Sequence, residues 1–494
     1  MTALDIAAIS AYFVGITAMG LFFYKRAKTT EGFTQASGRL SGLVVGVSIF
    51  GTYLSSITFL AMPGKAYTGN WNAFAFSLSL PFTAYIAARW FTPLYRSMTD
   101  VSAYAYLERR FGLWARLYAM TCYVLTQQAR MGTILFLVAL ALERLTGWDI
   151  SAVIIFTGVS VIAYCAVGGI EAVIWTDVAQ SVVLTIGALA SAVALLLKMP
   201  EGPGQLFEIA GKGAKFSMGP YDFSFLTPTF WTVLLYGVFI NMQNFGIDQS
   251  YVQRYKAARS LDEARKSVWL GALLYVPVSA IFLFIGTGLF AFYSVEPSRL
   301  PQELATQGDR VFPHFMITEL PSGVTGLVVA ALLAAAMSTI STSLNSSASV
   351  LLSDVALRLF KPGMTEAGKL FFLRVATVVL GVTGTGVALL MISIKTALDM
   401  WWNLAGIFSG GMLGLFLLGV ISKRASSTGA AVGTVVGIIV IAWSVFSKSY
   451  GAWWSNPLDP LVTIMTGTLA IFIVGMAMGR FRGNIPKKNP QSTP

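Results

Sequence analysis

Residues 331–347 read "ALLAAAMSTISTSLNSS", with seven hydroxyls and one amide packed into an apolar run. No charged residue lies between Glu319 and Asp354, so these groups sit deep in a lipid-soluble stretch and need partners. At about 100° per residue on a helix, Ala335, Ser338, Thr339 and Thr342 share one face, and Ser341 flanks Ser338 and Thr342. Hydroxyl and carbonyl oxygens are hard donors suited to a hard cation such as Na⁺. A metal that seeks thiol or imidazole finds nothing there. The competing reading is that each hydroxyl bonds back to the carbonyl one turn earlier in its own helix. So dense a cluster favours a polar cavity.

Two ionisable residues add charge. In "YVLTQQARMGTILFLVAL" Arg130 stands near the middle of an apolar run. An intramembrane Arg costs at least about 2.5–3.5 kcal/mol on insertion scales, which makes it a candidate functional residue. Its planar fork matches a carboxylate through two hydrogen bonds. Asp177, in "GGIEAVIWTDVAQ", is either a helix N-cap near a membrane face or the negative member of a second cation site.

Two further runs break the pattern of a lipid-facing helix. "VSIFGTYLSSITFLAMPG" places Gly51, Thr52, Tyr53, Ser55, Ser56 and Thr58 at its centre, and "FINMQNFGIDQSYVQRY" contains Asn241, Gln243, Asn244 and Gly246. Gly frees the backbone, and Ser or Thr can satisfy the carbonyls of an unwound turn. At bilayer depth such backbone is tolerated only where protein or a cavity surrounds it. The two broken helices are the second and seventh spans, an odd five positions apart, so they cross in opposite directions. That placement points to an inverted-repeat transporter with its site near the midplane. Small-residue packing, as at Gly406, Gly410 and Gly414, is the alternative.

The elements that must position these groups follow from composition. Of 494 residues 55% are hydrophobic and 11% charged, with a mean hydropathy of +0.70. A soluble chain carries about a quarter charged residues. The apolar residues fall into blocks of about 20, the length of a membrane-crossing helix. The expected fold is therefore an all-α polytopic membrane protein. Its thirteen expected spans lie near 4–25, 43–61, 74–95, 116–142, 150–167, 172–197, 230–252, 267–293, 322–360, 369–394, 398–422, 426–447 and 457–479.

The net charge of +12 does not form a nucleic-acid patch. On alternate connections 23 of the 34 Lys and Arg gather at one face, among them Arg39, Arg116, Arg254, Lys256, Arg259 and Lys361. The positive-inside rule makes that face cytoplasmic, the N-terminus external and the C-terminus internal. Residues 4–25 read as a retained helix, since "MTALD" has no basic leader. The tail 480–494 is expected to be disordered. The longer outer connections, 198–229 and 294–321, are expected to hold short surface helices or a lid. Cys122, Cys165 and His314 suggest neither a disulfide nor a metal framework. With no HExxH, no GxSxG and no paired intramembrane carboxylates, enzyme chemistry is not supported. A cation channel or a proton-coupled carrier remain the rival classes.

At "LSSITF", "PGKAYT", "GGIEAVIWTD", "YVQRY" and "AAAMSTISTSLNS" the chain resembles the sodium:solute symporter family, and most closely its bacterial sialic acid symporters. The resemblance implies the leucine-transporter-type fold in one transmembrane domain. Residues 4–25 form an extra N-terminal helix, 43–197 and 230–422 the two inverted five-helix repeats, and 426–479 two C-terminal helices. It implies one sodium site from the carbonyls of Gly51, Leu54 and Ala335 with the hydroxyls of Ser338 and Thr339. A second sodium site would use Asp177, Ser338, Ser341 and Thr342. The solute carboxylate would meet Arg130, with Ser55, Thr58, Tyr53, Ser77 and Asn244 lining the pocket. Those sialic acid carriers have Thr in place of Tyr53, Gln in place of Ser77 and an aromatic residue in place of Ala73. The expected cargo is thus sialic acid, or else another organic anion or a neutral sugar, imported with one or two Na⁺ through the cell membrane.

Overall fold

The computed structural model describes residues 1–392, 410–447 and 454–481. Helices account for nearly all of its regular structure. Their starts are capped as the sequence allows. Ser41, Ser55, Asp149, Thr229, Ser260, Thr365 and Ser426 each accept a backbone N–H in the first turn of the helix that follows.

Among the described residues eight helices are long and apolar enough to cross a membrane, or nine if a bent pair counts as one span. The thirteen expected spans are therefore not all resolved as separate long helices. The expected 150–167 and 172–197 join in one run, Ile150–Leu197, which turns at Gly169 (φ 61°, ψ −163°). A Cβ there would lie 2.9 Å from the Phe33 Cα, so the turn needs glycine for both its backbone angle and its contact. The expected 74–95 is divided into Phe74–Leu78, Leu80–Ile86, a π turn at Ala87–Phe91 and Thr92–Arg96. Residues 398–409 of the eleventh span, Gly406 among them, and residues 482–494 of the tail lie outside the described residues. The connections 198–229 and 294–321 contain the helices Pro203–Lys212 and Gly308–Thr318.

Val324–Leu351 is the central helix. It is 89% buried over its apolar window, against 28–61% for the other spans. It packs on the 150–197 run, on Leu113–Thr146 and on both halves of the second span. The hydroxyl cluster therefore faces protein along its whole length. Where the basic connections gather, Leu40 exchanges backbone hydrogen bonds with Ala257 (3.0 Å) and Arg259 (2.9 Å), tying the start of the second span to the end of the seventh.

Candidate functional site

The second span breaks where its glycine and hydroxyls predict. Gly42–Tyr53 and Ser56–Thr68 are bent by 59°, with Leu54 and Ser55 in extended backbone between them. The Ser55 hydroxyl caps the outer half by accepting from the Thr58 N–H at 3.5 Å. Gly51 lets the inner half lie against the Asp177 helix, since a Cβ would meet the Ser181 Oγ at 2.3 Å. Opposite the break, the Ser338 Oγ donates to the Gly51 carbonyl at 3.1 Å, and the Thr339 Oγ1 to the Ala335 carbonyl at 3.1 Å. Leu54 is fully buried at the break itself. The donor set consists of neutral oxygens from two helices, the chemistry of a weak, hard-cation site.

The hydroxyls of the central helix divide between the two readings. Thr339, Ser341, Ser346 and Ser349 bond back to carbonyls of their own helix. Ser338 and Ser343 reach other elements instead, Ser338 to Gly51 and Asp177, Ser343 to Gln127 at 2.7 Å.

Asp177 is no N-cap. It lies eight residues beyond the Gly169 turn, inside the helix and wholly buried. Its Oδ1 accepts from Ser338 (2.7 Å), and its Oδ2 from Ser48 (2.7 Å), Thr52 (3.3 Å) and Arg254 (2.6 Å). The Arg254 guanidinium also donates to Thr342 (2.7 Å) and Ser48 (2.8 Å). Counted among the loop cations from sequence, Arg254 is in fact fully buried in this network. The cause is the break of the seventh span, which turns its inner half, Gln249–Ala257, into the core. Arg116 and Lys256, also counted as loop cations, are buried as well, Arg116 against Asp354 at 2.5 Å. Of the expected second cation set, Ser338 bonds one carboxylate oxygen of Asp177, whereas Thr342 accepts from Arg254. Ser341 donates to the Ser338 carbonyl, and among the described residues it makes no hydrogen bond to Asp177.

The seventh span breaks at Asp248, two residues beyond the last of the expected positions. Asp248 is extended (ψ 125°), separates Phe230–Ile247 from Gln249–Ala257, and caps the latter through the Ser250 N–H at 2.7 Å. Near it, half-buried Arg130 makes no hydrogen bond or ion pair among the described contacts. Asp248 lies within its electrostatic reach, an acid near Arg130 that sequence reasoning missed. Tyr53 is buried, packs edge-on to Tyr275 at 4.5 Å and donates to the Asn241 Oδ1. The Asn241 Nδ2 in turn donates to the Ser79 Oγ at 2.8 Å. Ser77, two residues before Ser79, is buried with its hydroxyl unpartnered, and Asn244 is half-buried one turn before the break. Tyr53, Ser55 and Thr58 gather at one break and Asn244 beside the other, with Tyr53 joined to Asn241 across them. Ser77 is hydrogen-bonded to none of the others.

The two broken helices are sealed on one side. Every residue of Gln249–Ala257 is buried, whereas Thr58, Met62, Phe239, Met242 and Asn244 on the outer halves are partly exposed. On the sealed side Gln253 donates to the Thr34 carbonyl (2.6 Å), Asn345 (2.8 Å) and Ser349 (3.1 Å). Asp248, Arg254 and Gln127 were legible only as polar residues within "NFGIDQS", "YVQRY" and "LTQQAR"; their convergence was not.

Residues 33–437 match the family model described as the sodium:solute symporter family. The sodium/sialic acid symporter SiaT of Proteus mirabilis is 33% identical over 473 residues, 94% of each chain. A solved Na⁺-coupled sialic acid symporter, in a substrate-bound outward-open state that revealed a novel Na⁺ site, superposes with a TM-score of 0.90. It is 31% identical, with 98% of both chains covered. Mhp1, a nucleobase-cation-symport-1 family transporter, shares the leucine-transporter-type fold at a TM-score of 0.56 and 20% identity, over 91% of this chain and 94% of its own.

Proposed function

Because this chain belongs to the sodium:solute symporter family, we propose that it imports a carboxylated sugar of the sialic acid class together with sodium, by alternating access. Sodium is the coupling ion, and the protein is a membrane transporter rather than an enzyme. The observation that carries the substrate class is Arg130, a guanidinium inside the membrane domain with no ion pair among the described residues, on the helix whose Gln127 bonds Asp248 at the break of the seventh span. A carboxylate would satisfy it with two parallel hydrogen bonds. Ser55, Thr58, Tyr53, Asn244 and Ser77, whose buried hydroxyl has no hydrogen-bond partner among the described residues, would line the rest of the pocket.

In this reading Gly51, Leu54, Ala335, Ser338 and Thr339 hold the first sodium and tie the broken second span to the central helix. A second ion would use the Oδ1 side of Asp177 with Ser338, Ser341 and Thr342, sharing the carboxylate with Arg254. The basic face is cytoplasmic, and residues 43–197 and 230–422 act as the inverted repeats that rock about the site. Solute neutralises Arg130, and the Gln253 seal then opens inward. Each sodium ion supplies about 2.3 kcal/mol per 100 mV and about 1.4 kcal/mol per tenfold gradient. Two sodium ions with a monoanion carry one net positive charge inward.

The test is sialic acid uptake into proteoliposomes in sodium or choline medium, with and without a pH gradient. Uptake should require sodium, ignore the pH gradient and saturate. Arg130→Ala should abolish it while sodium binding persists. Equal accumulation in choline would refute sodium coupling, and unchanged uptake by Arg130→Ala would refute the carboxylate role.

A further inference from the structure

A buried carboxylate held one helical turn before Arg130, a guanidinium with no ion pair among the described residues, raises the question of why the two do not join. Asp248 is 8% exposed, and both its oxygens are already taken. Its Oδ1 accepts from the Ser250 N–H at 2.7 Å, and its Oδ2 from the Gln127 Nε2 at 3.3 Å. The first contact is an ordinary helix cap. The second comes from another helix, three residues before Arg130 on Leu113–Thr146.

Gln127 is itself fixed at its other end. Its Oε1 accepts from the Ser343 Oγ at 2.7 Å, and Gln127 is 2% exposed. An ionised carboxylate only accepts, so the amide nitrogen must face Asp248 and the amide oxygen Ser343. Ser343 follows Thr339 by one turn of the same helix, and Thr339 belongs to the proposed sodium set. One side chain thus connects the sodium-binding helix to the acid that competes for Arg130.

We propose that Asp248 is a competing counter-ion for Arg130, and that Gln127, anchored by Ser343 on the sodium-binding helix, holds it away so that Arg130 is free for the solute carboxylate. This rests on the reading of Arg130 as the solute's partner. Sodium between Gly51 and Thr339 fixes the central helix, Ser343 fixes the Gln127 amide, and the amide occupies Asp248. When the helix shifts without sodium, Asp248 turns to Arg130 and the solute is shut out. Gln127 is a positioning residue, and the coupling runs both ways, since sodium must bind more tightly once solute is present.

The experiment uses the purified full chain and a carboxylate panel of sialic acid, glucuronate and lactate, titrated calorimetrically in sodium and in choline. Gln127→Leu should weaken the best ligand about tenfold, within the usual range of coupling between sites, with the solute-free sodium midpoint little changed. Asp248→Asn should bind solute with much less dependence on sodium. Gln127→Leu combined with Asp248→Asn should bind as well as Asp248→Asn alone, a rescue that a merely structural Gln127 would not give. A double variant as weak as Gln127→Leu alone overturns the proposal. If Gln127→Leu does not fold, Asp248→Asn decides alone, and an unaltered sodium dependence overturns it. A wild-type chain that ignores the whole panel, or an Arg130→Ala variant that binds normally, removes the Arg130 reading and this inference with it. Loss of binding in Arg130→Ala without rescue in the double variant removes only the inference.

Discussion

Arg254 donates from Nη2 to the Asp177 Oδ2 at 2.6 Å, and both side chains are wholly buried. The pair joins the inner half of the seventh span to the sixth, and Ser48 and Thr342 bring in the second and ninth. Four elements therefore meet at one ion pair. Replacing one member leaves the other charge buried and uncompensated, which typically costs about 3–5 kcal/mol. Arg254→Ala should lower the thermal midpoint markedly, whereas Arg254→Met combined with Asp177→Leu should recover much of it. A double variant no more stable than the single one would show that the pair is not the source of the loss.

Asp177→Asn tests the proposed second ion site, at the stability cost of leaving Arg254 without its counter-charge. The amide can accept from Ser338 or from Arg254 but not from both, and it lacks the negative charge that a second sodium would need. The Hill coefficient for sodium-driven uptake is expected to fall from about two toward one, as one of two coupled sites is lost. Transport of a monoanion should become electroneutral. A persisting sodium-dependent current in liposomes would dispose of the second site.

Thr339→Ala removes one hydroxyl oxygen from the proposed first sodium set while leaving the helix intact, since among the described residues that hydroxyl bonds only the Ala335 carbonyl. The sodium concentration for half-maximal uptake should rise about tenfold, equivalent to about 1.4 kcal/mol. A superimposable sodium curve would strike Thr339 from the ligand set.

Gly51→Ala tests the close approach of the second and sixth spans. The added Cβ would lie 2.3 Å from the Ser181 Oγ and 3.0 Å from the Asp177 carbonyl oxygen. The Ser181 hydroxyl can turn aside but the backbone oxygen cannot, so the inner half-helix must shift. The loss should be about 1–3 kcal/mol of stability, the usual cost of overpacking, together with weaker sodium binding because the Gly51 carbonyl moves. Combining it with Ser181→Ala should return only part of the loss, and full recovery would place the strain on the hydroxyl alone.

Outside the spans, Glu108 on the basic face accepts from Arg358 at 2.6 Å and from Arg116 at 2.7 Å. The Arg358 hydrogen bond, followed by Arg116, holds its carboxyl below the ordinary Glu range. A depressed folded value means that its contribution is complete above the unfolded value near 4.5 and fades as pH falls through the folded one. The thermal midpoints of wild type and Glu108→Gln should therefore differ at pH 7 and converge below pH 4. A constant gap across that interval would mean that Glu108 acts by packing rather than by charge.

Much of this site could be read along the chain because each signal is local. "FGTYLSSIT" states its own helix break, and the spacing of Ser338, Thr339 and Thr342 states its own face. Arg130 is conspicuous because a guanidinium in an apolar run is costly wherever it points. Arg254 misled for the complementary reason. Six residues past a break, it looks like part of a basic loop, and only the packing of Gln249–Ala257 buries it. The turn at Gly169 was legible too, since the pair Gly168 and Gly169 falls between the expected spans 150–167 and 172–197; only the contact with Phe33 was not.

The amino-acid sequence by itself determined that this chain crosses the membrane many times, where its helices break, and that hard oxygens and one guanidinium await partners. Those properties follow from hydropathy, backbone freedom and donor chemistry, which each residue carries with it. Only the tertiary structure decided which partners meet: Ser338 with Gly51 and Asp177, Arg254 with Asp177, Gln127 with Ser343 and Asp248. Contacts of this kind join residues tens to hundreds of positions apart, and their geometry exists only after the helices have packed.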